Sequence, residues 1–498
     1  MSVLSSLVDF IDLRAFLLSL VAFLLVLWLT RRPSNLPPGP RGWPLVGNIP
    51  GLIWDYFLSG RPLPHLLLST MSRKYGKFFS ISLGPQLIVI ANDQDTIKEA
   101  GQNQMTTARP KQIVNNTGGQ GLAIASGDAW LQQRRFTLST LRSFGVGRKT
   151  FEDQIAEEAH YLMQEIETYD AKPFDPQHLV LNATSNVLCH VIFGQRYDYS
   201  DPDFHHVLNA LDRQTKLAGA AGSEVFLPVL KYLPSYRSEQ EITDKLSKDF
   251  VGFVWRVVRG HQKEYDSSNQ HDYIDVYLKE MELARDVTSH LNELNLVASL
   301  SHLFFAGTSS SITLRWAMMY MMEHPHIQDK VQQEIDTVIG RDRLPKLSDR
   351  EDLPYTDAVI YEASRIGTVF PLSVPHYTTA DTTIKGYNVP KGTVVILNLS
   401  AWHHDPDMWG DPENFRPERF LDGKGALQNT EFVIPFSQGR RQCPGEQFAR
   451  KELFIFFSHL MHRFRVEKAI DKPLDFNGMF GISSSPKPFE MRAVLRNV

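Results

Sequence analysis

The stretch Phe436-Ser437-Gln438-Gly439-Arg440-Arg441-Gln442-Cys443-Pro444-Gly445-Glu446 decides how the rest of this chain is read. It runs into an apolar helix, with Phe448, Leu453, Phe457, Leu460 and Phe464 recurring along one side. A cysteine just ahead of a helix N-terminus meets unpaired backbone N–H groups and the positive end of the helix dipole, and both favour thiolate over thiol. Gly439 and Gly445 let the backbone turn sharply and come close to a flat ligand. Arg441 can reach an anion carried by that ligand. The loop reads as a cradle presenting one sulfur. A nucleophilic cysteine would use the same position, but no His/Asn arrangement for a protease or acyl transferase is defined. HExxH, GxSxG, P-loop and GxGxxG patterns are also absent.

Composition narrows the field around that loop. The chain has 498 residues, 42% hydrophobic and 22% charged, which suits a large packed core and not disorder. With 52 Lys+Arg against 56 Asp+Glu the net charge is −4, without the basic excess of a nucleic-acid binder. Two cysteines, Cys189 and Cys443, exclude a disulfide framework and any Cys-rich zinc module. Cys189 lies in the apolar run Val187–Ile192 and reads as inert core.

Toward the N-terminus, Ala15–Leu29 is apolar except for Ser19, with Arg31-Arg32-Pro33 close behind. A cleaved signal peptide would end on small residues, whereas Leu27-Trp28-Leu29 are bulky. Residues 1–32 therefore read as an uncleaved membrane anchor at the short end of the spanning range, its basic flank keeping the bulk of the chain in the cytoplasm. Leu36-Pro37-Pro38-Gly39-Pro40 makes residues 33–45 a stiff hinge. Residues 46–498 carry no repeat or low-complexity tract and read as one large unit.

In the second half, the absence of proline and the three- and four-residue steps of Leu296, Leu300, Leu303, Leu314, Met318 and Met322 predict one buried helix from about Ser289 to Met322. Within it, Ala306-Gly307-Thr308-Ser309-Ser310-Ser311 are mediocre helix formers. They suit either a close approach to a large ligand or a small-residue helix contact. A further helix over about 353–366 puts Glu362 and Arg365 on one face, which alone would be an ordinary surface pair.

With these residues in view, the chain resembles the cytochrome P450 haem-thiolate monooxygenases, in particular the microsomal animal forms. The cysteine loop matches F-x-x-G-x-R-x-C-x-G at every fixed position. Trp130 and Arg134 form W-x-x-x-R, Glu362 and Arg365 form E-x-x-R, Phe415–Phe420 is the P-E-R-F segment, and Ala306-Gly307 opens the oxygen-binding motif. The resemblance implies a mainly α fold with small β-sheets (α+β), a single haem domain behind the anchor. It implies haem b with Cys443 as axial thiolate, favouring O–O cleavage. Trp130, Arg134, His376, Arg441 and Arg109 match propionate-binding positions, and Phe436 packs by the thiolate. Glu362, Arg365 and Arg419 become a structural ion network.

The family's long helix usually reads A-G-x-[DE]-T-[TS]. Here Ser309 stands at the acid position and Ser310 at the threonine position. The acid–alcohol pair helps carry protons during dioxygen activation. Ser310 keeps a hydroxyl without threonine's rotamer-fixing methyl, and Ser309 cannot ionise. Two readings stay open: monooxygenation with a modified, water-dependent relay, or a haem-thiolate isomerase or dehydratase whose hydroperoxide or endoperoxide substrate brings its own O–O bond. A haem sensor or carrier without turnover is opposed by the pocket-forming segments Phe304-Phe305, Val369–Leu372 and Phe480–Ile482. The resemblance further implies an endoplasmic reticulum location and electrons from NADPH through a membrane-bound cytochrome P450 reductase, with cytochrome b5 as a second donor. Arg134, Arg135, Arg440, Arg450 and Lys451 offer a basic docking face, and Val225–Leu230 reads either as a segment that dips into the bilayer or as a buried loop. The substrate class implied is lipophilic: fatty acid, steroid or xenobiotic, oxidised with O2.

Overall fold

A computed structural model describes residues 13–29, 34–59, 63–111, 113–114, 118–144, 149–221, 234–284 and 289–496. The first helix, α1 (Leu13–Leu29), is apolar but has 17 residues, a rise of about 26 Å against a hydrocarbon core of about 30 Å. No helix among the described residues is long and apolar enough to cross a membrane. The anchor expected over residues 1–32 is therefore not shown, although residues 1–12 and 30–33 lie outside the description.

The body is mainly helical with small sheets. Strands β1 (Phe78–Leu83), β2 (Gln86–Ala91), β3 (His376–Tyr377) and β4 (Val394–Leu397) form one sheet in the order β1-β2-β4-β3. Its register shows why these segments are strands. Phe79 pairs with Ile90 and Ile90 with Ile396, all on one buried face with Leu68 and Met71. Phe78, Ala91 and Leu397 align on the other face against Ile97 and Trp402. A period-two pattern buried on both sides admits no slip by one residue.

The main core is helical. It packs α2 (Gly121–Ile124), α3 (Gly127–Phe144), α4 (Lys149–Glu167), α5 (Gln177–Phe193), α6 (Glu293–Gly307), α7 (Ser310–Glu323), α8 (Pro354–Gly367) and α9 (Glu446–Arg463). Cys189, in α5, is fully buried and its thiol is held well above the usual range by burial, which fits an inert core residue. Val225–Leu230, expected in the bilayer or in a buried loop, lies outside the described residues.

The long helix predicted to Met322 is two helices, with the break at Thr308-Ser309. The hydroxyl run explains it. Thr308, Ser309 and Ser311 each donate to the carbonyl three residues back, at 2.7, 2.6 and 2.6 Å. The local backbone bonds also tighten to three-residue steps, Ser309 to Ala306 and Ile312 to Ser309. Such back-bonding side chains compete with the helical ladder and bend it.

Candidate active site

The cysteine loop is laced to the C-terminus of the helix Gln94–Gln102. Arg440 N–H donates to Gly101 O at 2.9 Å, and Cys443 N–H to Phe436 O at 3.0 Å. Gly439 sits at φ +94°, and a Cβ there would lie 2.2 Å from the Gly101 carbonyl carbon, so only glycine fits. Gly445, at φ −94°, needs no left-handed backbone; it caps α9.

Burial nevertheless pushes the Cys443 thiol up to about 11, with Glu446 adding to the rise against the Gly445 N–H and Arg134. The helix terminus alone does not win the contest that the sequence suggested. A cation at the sulfur would decide it, since a coordinating thiol is deprotonated outright. Cys443 keeps some accessible surface, as does Ala306 on α6.

Beside the sulfur, the structure gathers the predicted basic residues. Arg109 donates to Ala123 O (2.9 Å), Val374 O (2.8 Å) and Pro375 O (3.0 Å). Arg134, on α3, donates to Gln442 O at 2.8 Å, and Arg441 to Thr107 O at 2.8 Å. The Arg441 guanidinium lies 4.0 Å from the centre of the Trp130 ring. Trp130 itself is buried, and among the described residues its Nε1–H has no partner. His376, on β3, is buried and donates Nδ1–H to Thr106 O at 2.9 Å. Burial and then Arg109 hold its imidazole down to about 3.

Among the described residues no carboxylate pairs with Arg109, Arg134 or Arg441. Burial followed by mutual repulsion lowers Arg109 to about 9 and Arg441 to about 8. Sequestered positive charge of this kind is costly unless a ligand brings anions. An orphan indole donor, three acid-free guanidiniums and one sulfur fit a flat, metal-bearing group with two carboxylates. These residues fit haem b.

Glu362, Arg365 and Arg419 do not join this cluster. Arg365 donates Nε–H and Nη2–H to the Glu362 carboxylate at 2.7 and 2.8 Å, and Arg419 Nε–H adds a third bond at 3.0 Å. Arg416 N–H supplies a fourth at 2.9 Å. Glu362 and Arg365 are fully buried, so the spacing that looked like a surface pair is a core staple.

Ser309 is half-buried and spends its hydroxyl on Ala306 O, whereas Ser310 is buried and stands near Glu452 on α9, opposing the rise in that carboxyl's pKa. Sequence reasoning passed over Glu452, because a lone Glu in Lys451-Glu452-Leu453 reads as solvent-facing; its i±4 neighbours Phe448 and Phe456 were the only signal. Burial raises the Glu452 carboxyl from 4.5 to about 8, so it is protonated at neutral pH. The native state then holds a proton that the unfolded chain releases above pH 4.5, and stability falls as pH rises from there toward 8. Thermal melts of wild type and Glu452→Gln at pH 5 and 7 should show the wild type losing up to about 1.4 kcal/mol per pH unit relative to the variant. Parallel pH profiles would contradict a protonated Glu452.

Of the basic docking face, Arg135 and Arg440 are exposed, while Arg450 bonds Glu446 on the same helix at 2.9 Å.

A sequence model of the family described as "Cytochrome P450" matches residues 37–493. The chain is 39% identical over 512 residues to cytochrome P450 2J5 of Mus musculus, covering 99% of each chain. It is 41% identical over 496 residues to cytochrome P450 2J2 of Homo sapiens, covering 97% of this chain and 96% of the relative. With cytochrome P450 2U1 of Bos taurus the identity is 37% over 504 residues, covering 95% and 92%.

Proposed function

The chain belongs to the cytochrome P450 family of haem-thiolate monooxygenases, and from that premise we propose that residues 46–498 are an endoplasmic reticulum monooxygenase domain held by residues 1–32 through the hinge 33–45. It inserts one oxygen atom of O2 into a lipophilic fatty acid, steroid or xenobiotic, the other leaving as water, with two electrons from NADPH delivered by cytochrome P450 reductase and supplemented by cytochrome b5. Similarity to cytochromes P450 along nearly the whole chain gives no support to the isomerase or dehydratase reading.

The observation that carries this reading is the acid-free arginine cluster beside a single sulfur. When bound, haem b supplies the iron at which dioxygen is reduced. Cys443 would hold the iron through its sulfur, and Phe436 would shield that sulfur. Arg109, Arg134, Arg441 and Trp130 would hold the two propionates; His376, having given Nδ1–H to Thr106 O, would join them only where a propionate's negative charge offsets the burial and the Arg109 repulsion and keeps the ring an imidazolium. Ala306, exposed, would leave room beside the group, whereas Gly307 serves the packing of α6 on α5, since a Cβ there would lie 2.3 Å from Leu188 Cδ2. Ser310 holds a hydroxyl proton against protonated Glu452, and Ser309 leaves its side to water.

The test is turnover by the full chain with NADPH and reductase, set beside conversion of a fatty acid hydroperoxide without reductase. Oxygenated product requiring NADPH and reductase is expected. Product formed from the hydroperoxide alone would overturn the monooxygenase reading.

A further inference from the structure

From Leu294 to Leu314 the helices α6 and α7 contain one ionisable side chain, His302. It stands one helical turn before Ala306 and so shares its face. Ala306 is exposed while Leu300, Leu303 and Phe304 are buried, which marks this face as the one lining open space.

What fixes the imidazole is the short helix α2. Its first three N–H groups have no intrahelical acceptor, and side chains at steps of four and three along α6 supply them. Gly121 N–H donates to Asn295 Oδ1 (2.8 Å), Leu122 N–H to Ser299 Oγ (3.1 Å) and Ala123 N–H to His302 Nδ1 (3.3 Å). The approach is close: a Cβ on Gly121, at φ +73°, would lie 2.8 Å from His302 Nδ1. Because Nδ1 accepts, the neutral ring carries its proton on Nε2. Burial and then Arg109 hold the imidazole down to about 4, which keeps it neutral at physiological pH. Among the described residues no hydrogen bond reaches Nε2, and the His302 side chain is half-buried.

We propose that His302 is a specificity-determining residue of this pocket, its Nε2–H donating to a carbonyl or carboxylate oxygen of the lipophilic substrate. The assignment rests on the monooxygenase reading above. A pocket with one oriented donor penalises a ligand that leaves the donor unpaired, so it discriminates by an oxygen atom more sharply than by chain length.

Asparagine at 302 keeps an acceptor within reach of Ala123 N–H but removes the distal donor, and glutamine returns an amide N–H near the place of Nε2. The haem-loaded full chain, as wild type, His302→Asn and His302→Gln, is titrated with a long-chain fatty acid, its methyl ester and the hydrocarbon of equal length. Dissociation constants are read from the substrate-induced Soret shift. His302→Asn should weaken the oxygen-bearing ligands about three- to tenfold, leave the hydrocarbon unchanged, and be partly rescued in His302→Gln. Weakening of both acid and ester supports a carbonyl acceptor, and weakening of the acid alone supports a carboxylate. Equal weakening of all three ligands, or of none, overturns the proposal. The reduced CO spectrum of the wild type is recorded in the same cuvette; loss of its thiolate-type band would break the haem-thiolate reading and not the His302 assignment.

Discussion

Replacing Cys443 by serine is expected to abolish the red-shifted, thiolate-type band of the reduced CO complex and to bring NADPH-dependent turnover to background. The cradle does little for the thiolate by itself, since burial lifts the thiol to about 11 against the Gly445 N–H. On the proposed reading, the anion would form because a bound metal cation takes the proton's place. A serine hydroxyl is a far weaker acid and a harder ligand, so the same loop cannot hold it as an anionic donor. The fold should survive the change. The bonds that shape the loop, Cys443 N–H to Phe436 O and Arg440 N–H to Gly101 O, are backbone bonds, and the side-chain volumes are close. Circular dichroism and thermal melts of Cys443→Ser should therefore match the wild-type apoprotein. Retention of pigment, band and turnover would remove Cys443 from the site.

Glu362→Ala is expected to have the largest effect on stability. It would strand Arg365, fully buried, and Arg419, with 5% of its side chain exposed, around a missing carboxylate that accepts four hydrogen bonds. Removing one partner of a buried, hydrogen-bonded ion pair costs about 3–5 kcal/mol, against a total stability of about 5–15 kcal/mol for a folded domain. Little haem-loaded protein should accumulate, and any that does should melt well below the wild type. Arg365→Lys separates geometry from charge. An ammonium cannot reproduce the fork that reaches both carboxylate oxygens together with the His403 and Pro412 carbonyls. Its yield should fall almost as far. Normal yield and melting temperature for both variants would show that the triad is dispensable.

What could be read before any fold was known follows from how local each feature is. The loop Phe436–Glu446 declares itself because glycine, arginine and cysteine there answer to backbone conformation and ligand chemistry within a few residues. The helix over about 353–366, found as α8, and the apolar run around Cys189 in α5 are local in the same sense. The break at Thr308-Ser309 is a local effect that apolar periodicity hides: the leucines and methionines keep their steps while the hydroxyls reroute the backbone between them. The Ala15–Leu29 run was read as an anchor on hydropathy, a property of composition, whereas the helix actually formed is 17 residues long.

The sequence by itself determined that a single cysteine would stand before a helix, that it would do so in a large, mainly helical protein, and that Glu362 and Arg365 would share a face. Only the tertiary structure decided what those residues meet. It brought Arg109, Trp130, His376 and Arg441 together from segments hundreds of positions apart, set Ser310 against Glu452, and turned His302 toward Ala123. The reason is physical. Helix periodicity and turn chemistry are set by neighbours in the chain, while the burial that lifts a carboxyl, lowers a guanidinium or fixes an imidazole tautomer is set by whatever other elements pack against it.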